Sequence, residues 1–215
     1  MTEGMNRRLT LSISRDMSNP ASDADLIALA RAGDDRAFAV LVDRYEGAVA
    51  ATVIGMLGRG DDADDVGQET FIRFHRALGN FRGESSLKTY LVHIAMNLSL
   101  NALKRRRRSL LRFVSRDDDE DNLSGLPEPH VGPSGDVDAA ELHEFVRAAV
   151  ARLSEKHRAV VVLRLFHEFS TRETAELLGL PEGTVLSRLS RAMKELESQL
   201  RPYVRAGAML PEISR

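Results

Sequence analysis

Cysteine is absent from the 215-residue chain, which excludes disulfides, thiolate nucleophiles and Cys-ligated zinc or iron–sulfur sites. Tryptophan is also absent and aromatic residues amount to only 5%; with Ala, Leu, Arg and Val abundant, the composition favours helix over sheet. Long apolar runs are missing. No stretch approaches the roughly 18–20 residues that span a bilayer, and residues 1–22 mix Arg, Asp and Ser without a continuous apolar centre. Neither membrane insertion nor secretion is expected, and a cytoplasmic address is. Catalytic motifs are missing too: the six His include no HExxH, and there is neither a GxSxG nor a Gly-rich phosphate loop. The expectation is a protein that is not an enzyme and holds no metal and no cofactor.

Charge of one sign is not in excess overall, with 30 Lys and Arg against 32 Asp and Glu, but the balance conceals an uneven distribution. From Asp23 to Leu110 there are 13 basic and 12 acidic residues, and the segment ends in the run Lys104, Arg105, Arg106, Arg107, Arg108. From Leu111 to Ala139 the counts are 2 and 8, and from Ala140 to Leu200 they are 9 and 9. Electrostatics in this chain is therefore a matter of patches. The acidic middle also carries Pro127, Pro129 and Pro133 and few apolar side chains, the composition of a solvated linker.

Either side of that linker the apolar residues recur at helical spacing. Phe38, Leu41, Val42, Tyr45, Val49, Val53 and Met56 form one stripe. A shorter helix is expected upstream over about 25–32, divided from it by Gly33 and by the cap candidates Asp34 and Asp35. Asp61, Asp62, Asp64 and Asp65 precede Val66, Phe71, Phe74 and Leu78; as N-terminal caps they would suit the helix dipole, and their spacing is not that of a calcium loop. Leu87, Leu91, Ile94, Ala95, Leu98 and Ala102 mark a fourth helix that ends in the Arg run. After the linker, helices are expected around 139–152 and from Ser154 onward. No alternating strand pattern occurs, so the fold class is all-α: two small helical domains joined by an acidic linker.

Residues 170–200 carry the most specific pattern. Ser170-Thr-Arg-Glu173 is a capping box, Gly179 suits the left-handed turn that closes a first helix, and Pro181 suits the first turn of a second. Small Ala175, turn Gly179 and apolar Val185 have the spacing of a helix-turn-helix, whose second helix enters a DNA major groove. Thr184, Ser187, Arg188, Arg191 and Lys194 fall on or near one side of that helix, supplying hydroxyls and cations for phosphates and base edges. An antiparallel helix pair with a solvated face is the plainer alternative. The Arg run is by itself a weak signal; placed after a turn rich in Asn80, Arg82, Ser85, Ser86 and Lys88, with Tyr90 and His93 nearby, it suggests phosphate contacts beside side chains that hold unstacked bases.

In this arrangement the chain resembles the extracytoplasmic-function (ECF, group 4) sigma factors of bacterial RNA polymerase, in the sigma-70 family. The resemblance covers roughly residues 25–200. Asp25-Leu-Ile through Ala37-Phe38 is similar to the opening helices of sigma region 2. Asp61-Asp-Ala-Asp-Asp-Val-Gly-Gln-Glu-Thr-Phe71 resembles the family's polymerase-binding motif, Phe81-Arg-Gly-Glu-Ser-Ser-Leu-Lys-Thr-Tyr-Leu91 its reader of the minus-ten element, and Gly183-Thr-Val-Leu-Ser-Arg-Leu-Ser-Arg-Ala192 its minus-thirty-five recognition helix. Three departures stand out: Tyr90 occupies a position that is commonly Trp, Leu186 one that is often basic, and Gly67 one that is usually a larger apolar residue.

The resemblance implies a promoter-specificity subunit with five segments: an extension over 1–22, a region 2 domain over 23–112, the acidic linker over 113–138, a region 4 domain over 139–200 and a tail over 201–215. It implies polymerase contacts from Asp61, Asp62, Asp64, Asp65, Gln68, Glu69, Thr70 and Phe71. It implies minus-ten contacts from Asn80, Arg82, Gly83, Ser85, Ser86, Lys88, Tyr90, His93, Asn97, Lys104, Arg105 and Arg106, and minus-thirty-five contacts from Thr184, Leu186, Ser187, Arg188, Ser190, Arg191 and Lys194. Implied partners are core RNA polymerase, through the clamp of its largest subunit and the flap of the second largest, promoter DNA, and an anti-sigma factor. Two other readings compete: an operator-binding regulator that uses only the helix-turn-helix, and a metal-dependent hydrolase built on the Asp61–Asp65 cluster.

Overall fold

The computed structural model describes residues 21–114 and 139–205, and every regular element among them is helical. The N-terminal extension up to residue 20, all of the expected 113–138 linker from residue 115 on, and the tail beyond 205 lie outside the described residues. Four helices form a first group: α1 (Asp23–Arg31), α2 (Asp35–Leu57), α3 (Asp61–Ala77) and α4 (Leu87–Val114). A 3₁₀ turn, Leu78–Asn80, leads from α3 into the loop before α4. The second group is α5 (Ala139–Arg152), α6 (Glu155–Val161), α7 (Thr171–Leu178) and α8 (Glu182–Arg205), and a π-helical turn, Val162–Phe166, prolongs α6.

Local chemistry sets most of the boundaries. The Ser22 hydroxyl accepts from the Asp25 amide to start α1. Asp34 accepts from the Arg36 and Ala37 amides to start α2, and Ser154 caps α6 through the His157 amide. Each satisfies a donor that the first helical turn leaves without a partner. Two expectations from the sequence are corrected. No side chain caps α3: its cap residue is Gly60 at φ 135°, and Asp61, Asp62 and Asp64 lie inside the first turn, where the helix dipole rather than a hydrogen bond favours them. Helix α4 also does not stop in the Arg run but continues to Val114. Lys and Arg are good helix formers, and no glycine or proline interrupts them.

Helices α1 to α4 close around Leu41, Val49, Val53, Val66, Phe74, Leu91 and Ala95. Phe74 is fully buried at the centre, with the rings of Phe38, Phe81 and Tyr90 about it. Burying each large side chain contributes about 1.5–3 kcal/mol. In the second group, Val150, Leu153, Val161, Ala192 and Leu196 join α5, α6 and α8, while Val160, Ala175 and Val185 form a small cluster under the α7–α8 turn. A fourth cluster belongs to both groups. Met56 of α2 and Val92, Met96 and Leu103 of α4 pack against Ala159, Val162, Leu163 and Phe169. The two helical groups therefore share buried surface.

Candidate nucleic-acid interface

The loop between α3 and α4 is held from outside itself. Arg31, the last residue of α1, donates from Nε to the Leu78 carbonyl at 2.8 Å and from its terminal nitrogen to the Phe81 carbonyl. Gly83 takes φ 70°, a left-handed conformation natural to glycine, and turns the chain back toward α4. Between the loop and α4 lies a cleft of about 240 Å³ lined by Ala77, Asn80, Phe81, Arg82, Gly83, Glu84, Ser85 and Tyr90. Tyr90 meets Phe81 edge-on at 4.9 Å between centroids, and its ring is half-buried. Drug-sized ligands occupy pockets of about 300–1,000 Å³; this cleft suits one planar group beside an aromatic ring and an exposed guanidinium.

The remaining residues expected around this loop separate into four groups. His93, Asn97 and Lys104 are exposed and recur along one face of α4, leading away from the cleft. Arg105 and Arg106 point elsewhere: Arg105 lines a groove with Asp65, Gln68 and Glu69, and Arg106 lies 3.9 Å from Asp62. Lys88 faces the second helical group, where its amine reaches the His167 carbonyl at 3.4 Å and sits 5.8 Å from the Phe169 ring centre. Ser86 is engaged locally, its hydroxyl accepting from the Thr89 amide at 3.1 Å and pairing with the Thr89 hydroxyl at 2.8 Å. Of the twelve residues, Asn80, Arg82, Gly83, Ser85 and Tyr90 share the cleft, and Lys88 and Ser86 are already occupied.

At the start of α3, Asp61, Asp62, Asp64 and Asp65 are exposed while Ala63 and Val66 anchor the turn in the core. Among the described residues no group of three ligating side chains converges on a point that could hold a metal ion. Gln68 is exposed, Glu69 pairs with Arg73 at 2.8 Å, and Ile72 leaves 44% of its surface in water. Thr70 is placed differently from expectation: it is fully buried, its hydroxyl donating to the Val66 carbonyl at 2.8 Å, so it offers nothing to a partner here. Phe71 is half-buried against the core.

The α7–α8 unit has the geometry its sequence spacing predicts. The Ser170 hydroxyl accepts from the Glu173 amide at 3.1 Å, and the Ser170 amide donates to the Glu173 carboxylate at 2.8 Å. Those two bonds hold the Glu173 carboxyl below its usual range. Gly179 closes α7 at φ 62°, ψ 41°, and the Leu180 amide returns to the Ala175 carbonyl at 2.9 Å. Val185 and Ala192 turn α8 inward. Ser187, Ser190, Arg191 and Lys194 face outward with Leu186 on their flank, whereas Thr184 and Arg188 are half-buried on the opposite flank. The Ser187 hydroxyl donates to the Thr184 carbonyl at 3.0 Å.

Several residues that organise these surfaces carry no sequence signal of that role. Arg31 reads as an ordinary basic helix end. Arg158 is a half-buried guanidinium that donates to the carbonyls of Met56 at 2.6 Å, Leu153 at 3.0 Å and Ala151, and desolvation lowers its pKa. His167, only 4% exposed, pairs through Nε2 with the Thr52 hydroxyl at 2.8 Å. All three act across long sequence separations, which periodicity cannot report.

Comparison with known proteins places these surfaces in a family. Residues 41–109 match the family model for sigma-70 region 2, and residues 144–196 match that for sigma-70 region 4. The RNA polymerase sigma-H factor of Pseudomonas aeruginosa is 33% identical over 195 residues, covering 88% of this chain and 99% of that protein. The ECF RNA polymerase sigma-E factor of Haemophilus influenzae is 32% identical over 190 residues, covering 87% and 100%. Among solved structures, CnrH in complex with the cytosolic domain of CnrY aligns at 27% identity with a TM-score of 0.55, over 85% of this chain and 99% of that one. The sigma factor RpoE of Bartonella quintana, solved with the anti-sigma factor NepR, shares the fold with a TM-score of 0.59 at 24% identity, over 76% and 96%.

Proposed function

Given that the chain belongs to the extracytoplasmic-function sigma factors of the sigma-70 family, we propose a division of work among its surfaces in promoter recognition. The protein is a sigma factor: it binds core RNA polymerase and directs initiation at promoters. The observation that carries this is the joint occurrence, in one chain and in order, of the region 2 helices and the region 4 helix-turn-helix. An operator-binding regulator would account for the second region and leave the first unexplained.

Within that function, residues 23–112 and 139–200 are the working units. The Asn80, Arg82, Gly83, Ser85 and Tyr90 cleft takes a base unstacked from the non-template strand, with Tyr90 as a wall and Arg82 beside the backbone. His93, Asn97 and Lys104 follow the same strand along α4. Outward-facing Ser187, Ser190, Arg191 and Lys194, with Leu186, enter the upstream major groove, while Thr184 and Arg188 on the flank reach phosphates. Asp61, Asp62, Asp64, Asp65, Gln68 and Glu69 dock on the clamp of the largest subunit, and the second region meets the flap of the second largest. An anti-sigma factor is a further partner, as NepR is for RpoE in the Bartonella quintana complex. The protein itself makes and breaks no bond in this scheme; the polymerase does.

Run-off transcription with bacterial core polymerase on a pool of fragments from the source genome tests the reading. Start sites that require the added protein, with two common elements upstream, are expected. A tight polymerase-independent footprint without new transcripts would overturn it in favour of the operator-binding regulator.

A further inference from the structure

The loop that forms the cleft, residues 78–86 between α3 and α4, is anchored differently at its two ends. Its second end is fastened by the helix it enters: the Ser86 hydroxyl meets the amide and the hydroxyl of Thr89 in the first turn of α4. Its first end is the 3₁₀ turn Leu78–Asn80, whose closing bond from the Phe81 amide to the Leu78 carbonyl is long at 3.4 Å, outside the range of about 2.7–3.2 Å for a well-made amide bond. Arg31 supplies what this turn lacks. Its Nε donates to the Leu78 carbonyl at 2.8 Å and its terminal nitrogen to the Phe81 carbonyl, so one rigid, planar fork spans the two ends of the turn. Among the described residues it is the only side chain outside the loop that bonds the loop's backbone. Arg31 is itself exposed, and its side chain makes these bonds to the loop rather than to a carboxylate.

We propose that Arg31 is a positioning residue for the unstacked base: its fork sets the path of the chain from Leu78 to Arg82, and with it the shape of the cleft before DNA arrives. This rests on the reading of the cleft as base-holding. Asn80 lies inside the forked turn and Arg82 directly follows it, and both line the cleft. The Phe81 ring, carried by the same turn, stands 4.9 Å from Tyr90 and 6.1 Å from Phe74, centre to centre. Two polar linings and an aromatic wall thus share one support. A loop without the fork would have to be ordered when the base enters, at a cost in conformational entropy; a forked loop meets that cost on folding, and the base binds a shape already made. Lysine cannot replace the fork, because an ammonium is a point charge without the planar pair of donors. The guanidinium has N–H donors beyond the two engaged here, and a direct phosphate contact is the competing use. The two uses differ in consequence. A phosphate contact acts on every sequence alike and adds about one to the salt slope of binding, whereas a positioning residue acts through the held base and leaves that slope unchanged.

A cycle between Arg31 and the base, measured as promoter binding by the holoenzyme, tests this. Abasic sites scanned through the minus-ten element mark the held base as the position where the wild-type protein loses most, about tenfold for the stacking given up there. Arg31→Ala and Arg31→Lys should each lose about tenfold on the intact promoter, less than about twofold on that abasic promoter, and keep the wild-type salt slope. Equal losses on the two promoters overturn the proposal, and a salt slope smaller by about one then assigns Arg31 to a phosphate. Full activity of Arg31→Lys overturns it as well, because a point charge would suffice. Lysine keeps the cation at the C-terminal end of α1 and the apolar stem, so this variant carries the cycle if Arg31→Ala does not fold. A second readout needs no polymerase. The chain has no tryptophan, so Tyr90→Trp puts a single fluorophore on the cleft wall of the full chain. Adding Arg31→Lys should make it more accessible to acrylamide; unchanged quenching overturns the hold of Arg31 on the loop. If the wild-type protein forms no promoter complex with core polymerase, the sigma-factor reading falls, and base-holding with it, while the quenching still decides whether Arg31 shapes the loop.

Discussion

Leu186 leaves 54% of its surface in water on a helix face otherwise made of hydroxyls and cations. An apolar side chain that enters a major groove finds one apolar partner among the base edges, the C5 methyl of thymine. The departure from the basic residue that the family often has here therefore carries information about sequence preference. Removing that contact should cost about 0.8 kcal/mol, the value of one buried methylene-sized group, or about fourfold in affinity. Holoenzyme binding to a promoter whose upstream thymines are replaced one at a time by deoxyuridine checks this. The wild-type protein should lose about fourfold at one position, and Leu186→Ala should lose nothing further there. An equal loss in both proteins would mean that Leu186 does not read the methyl.

At the scale of elements, the α7–α8 unit depends on its reciprocal cap. Ser170→Ala removes the hydroxyl that accepts from the Glu173 amide and frees the Glu173 carboxylate, so it should cost about 1 kcal/mol in urea unfolding. A change under about 0.3 kcal/mol would show that tertiary packing alone sets the start of α7. For α3 the expectation concerns binding rather than stability. Reversing Asp62 and Asp65 to Arg puts cations at a positive helix end and on the exposed docking turn, and should weaken polymerase association at least tenfold in a pull-down; unchanged association removes this turn from the docking surface. Much of this level is legible in the sequence. The stripe from Phe38 to Met56, the capping box and the 175/179/185 spacing each state a local rule, and the helices obey it. The cap of α3 is not legible, because acidic residues suit both the cap and the first turn, and only the backbone of Gly60 distinguishes them. The docked surface between the regions leaves no sequence signal at all. Met56, Val92 and Met96 look like ordinary core positions, and Lys88 like part of a basic surface, until the second region is placed on them.

For the whole molecule, the pairing of the two regions should depend on pH through His167. Burial, and after it the nearby Lys88 charge, lowers its pKa from 6.5 to about 4. Lys88 from α4 is the charged group facing it; α2 presents only the Thr52 hydroxyl, and the loop places the Phe169 ring 5.6 Å away, centre to centre. The Thr52 hydroxyl spends its proton on the Ala48 carbonyl at 3.0 Å, so Nε2 carries hydrogen and donates to Thr52. The imidazole is neutral in the docked state. With the docked pKa depressed, docking is fully favoured above pH 6.5 and loses ground as pH falls toward 4, because the undocked chain takes up a proton that the docked chain refuses. Between pH 7 and pH 5 the ratio of docked to undocked chain should fall about twentyfold, or about 2 kcal/mol. Spin-label distances in the full chain between Asp43→Cys and Ser198→Cys, two exposed positions, recorded across that range, should lengthen on acidification, and His167→Gln, which keeps a donor for Thr52 but cannot titrate, should hold them constant. Acid opening that persists in His167→Gln would assign the sensitivity to other groups, leaving the Thr52–His167 bond as a neutral clasp. Acid opening that vanishes would make one buried imidazole the point at which proton concentration reaches the spacing of the two DNA-reading regions.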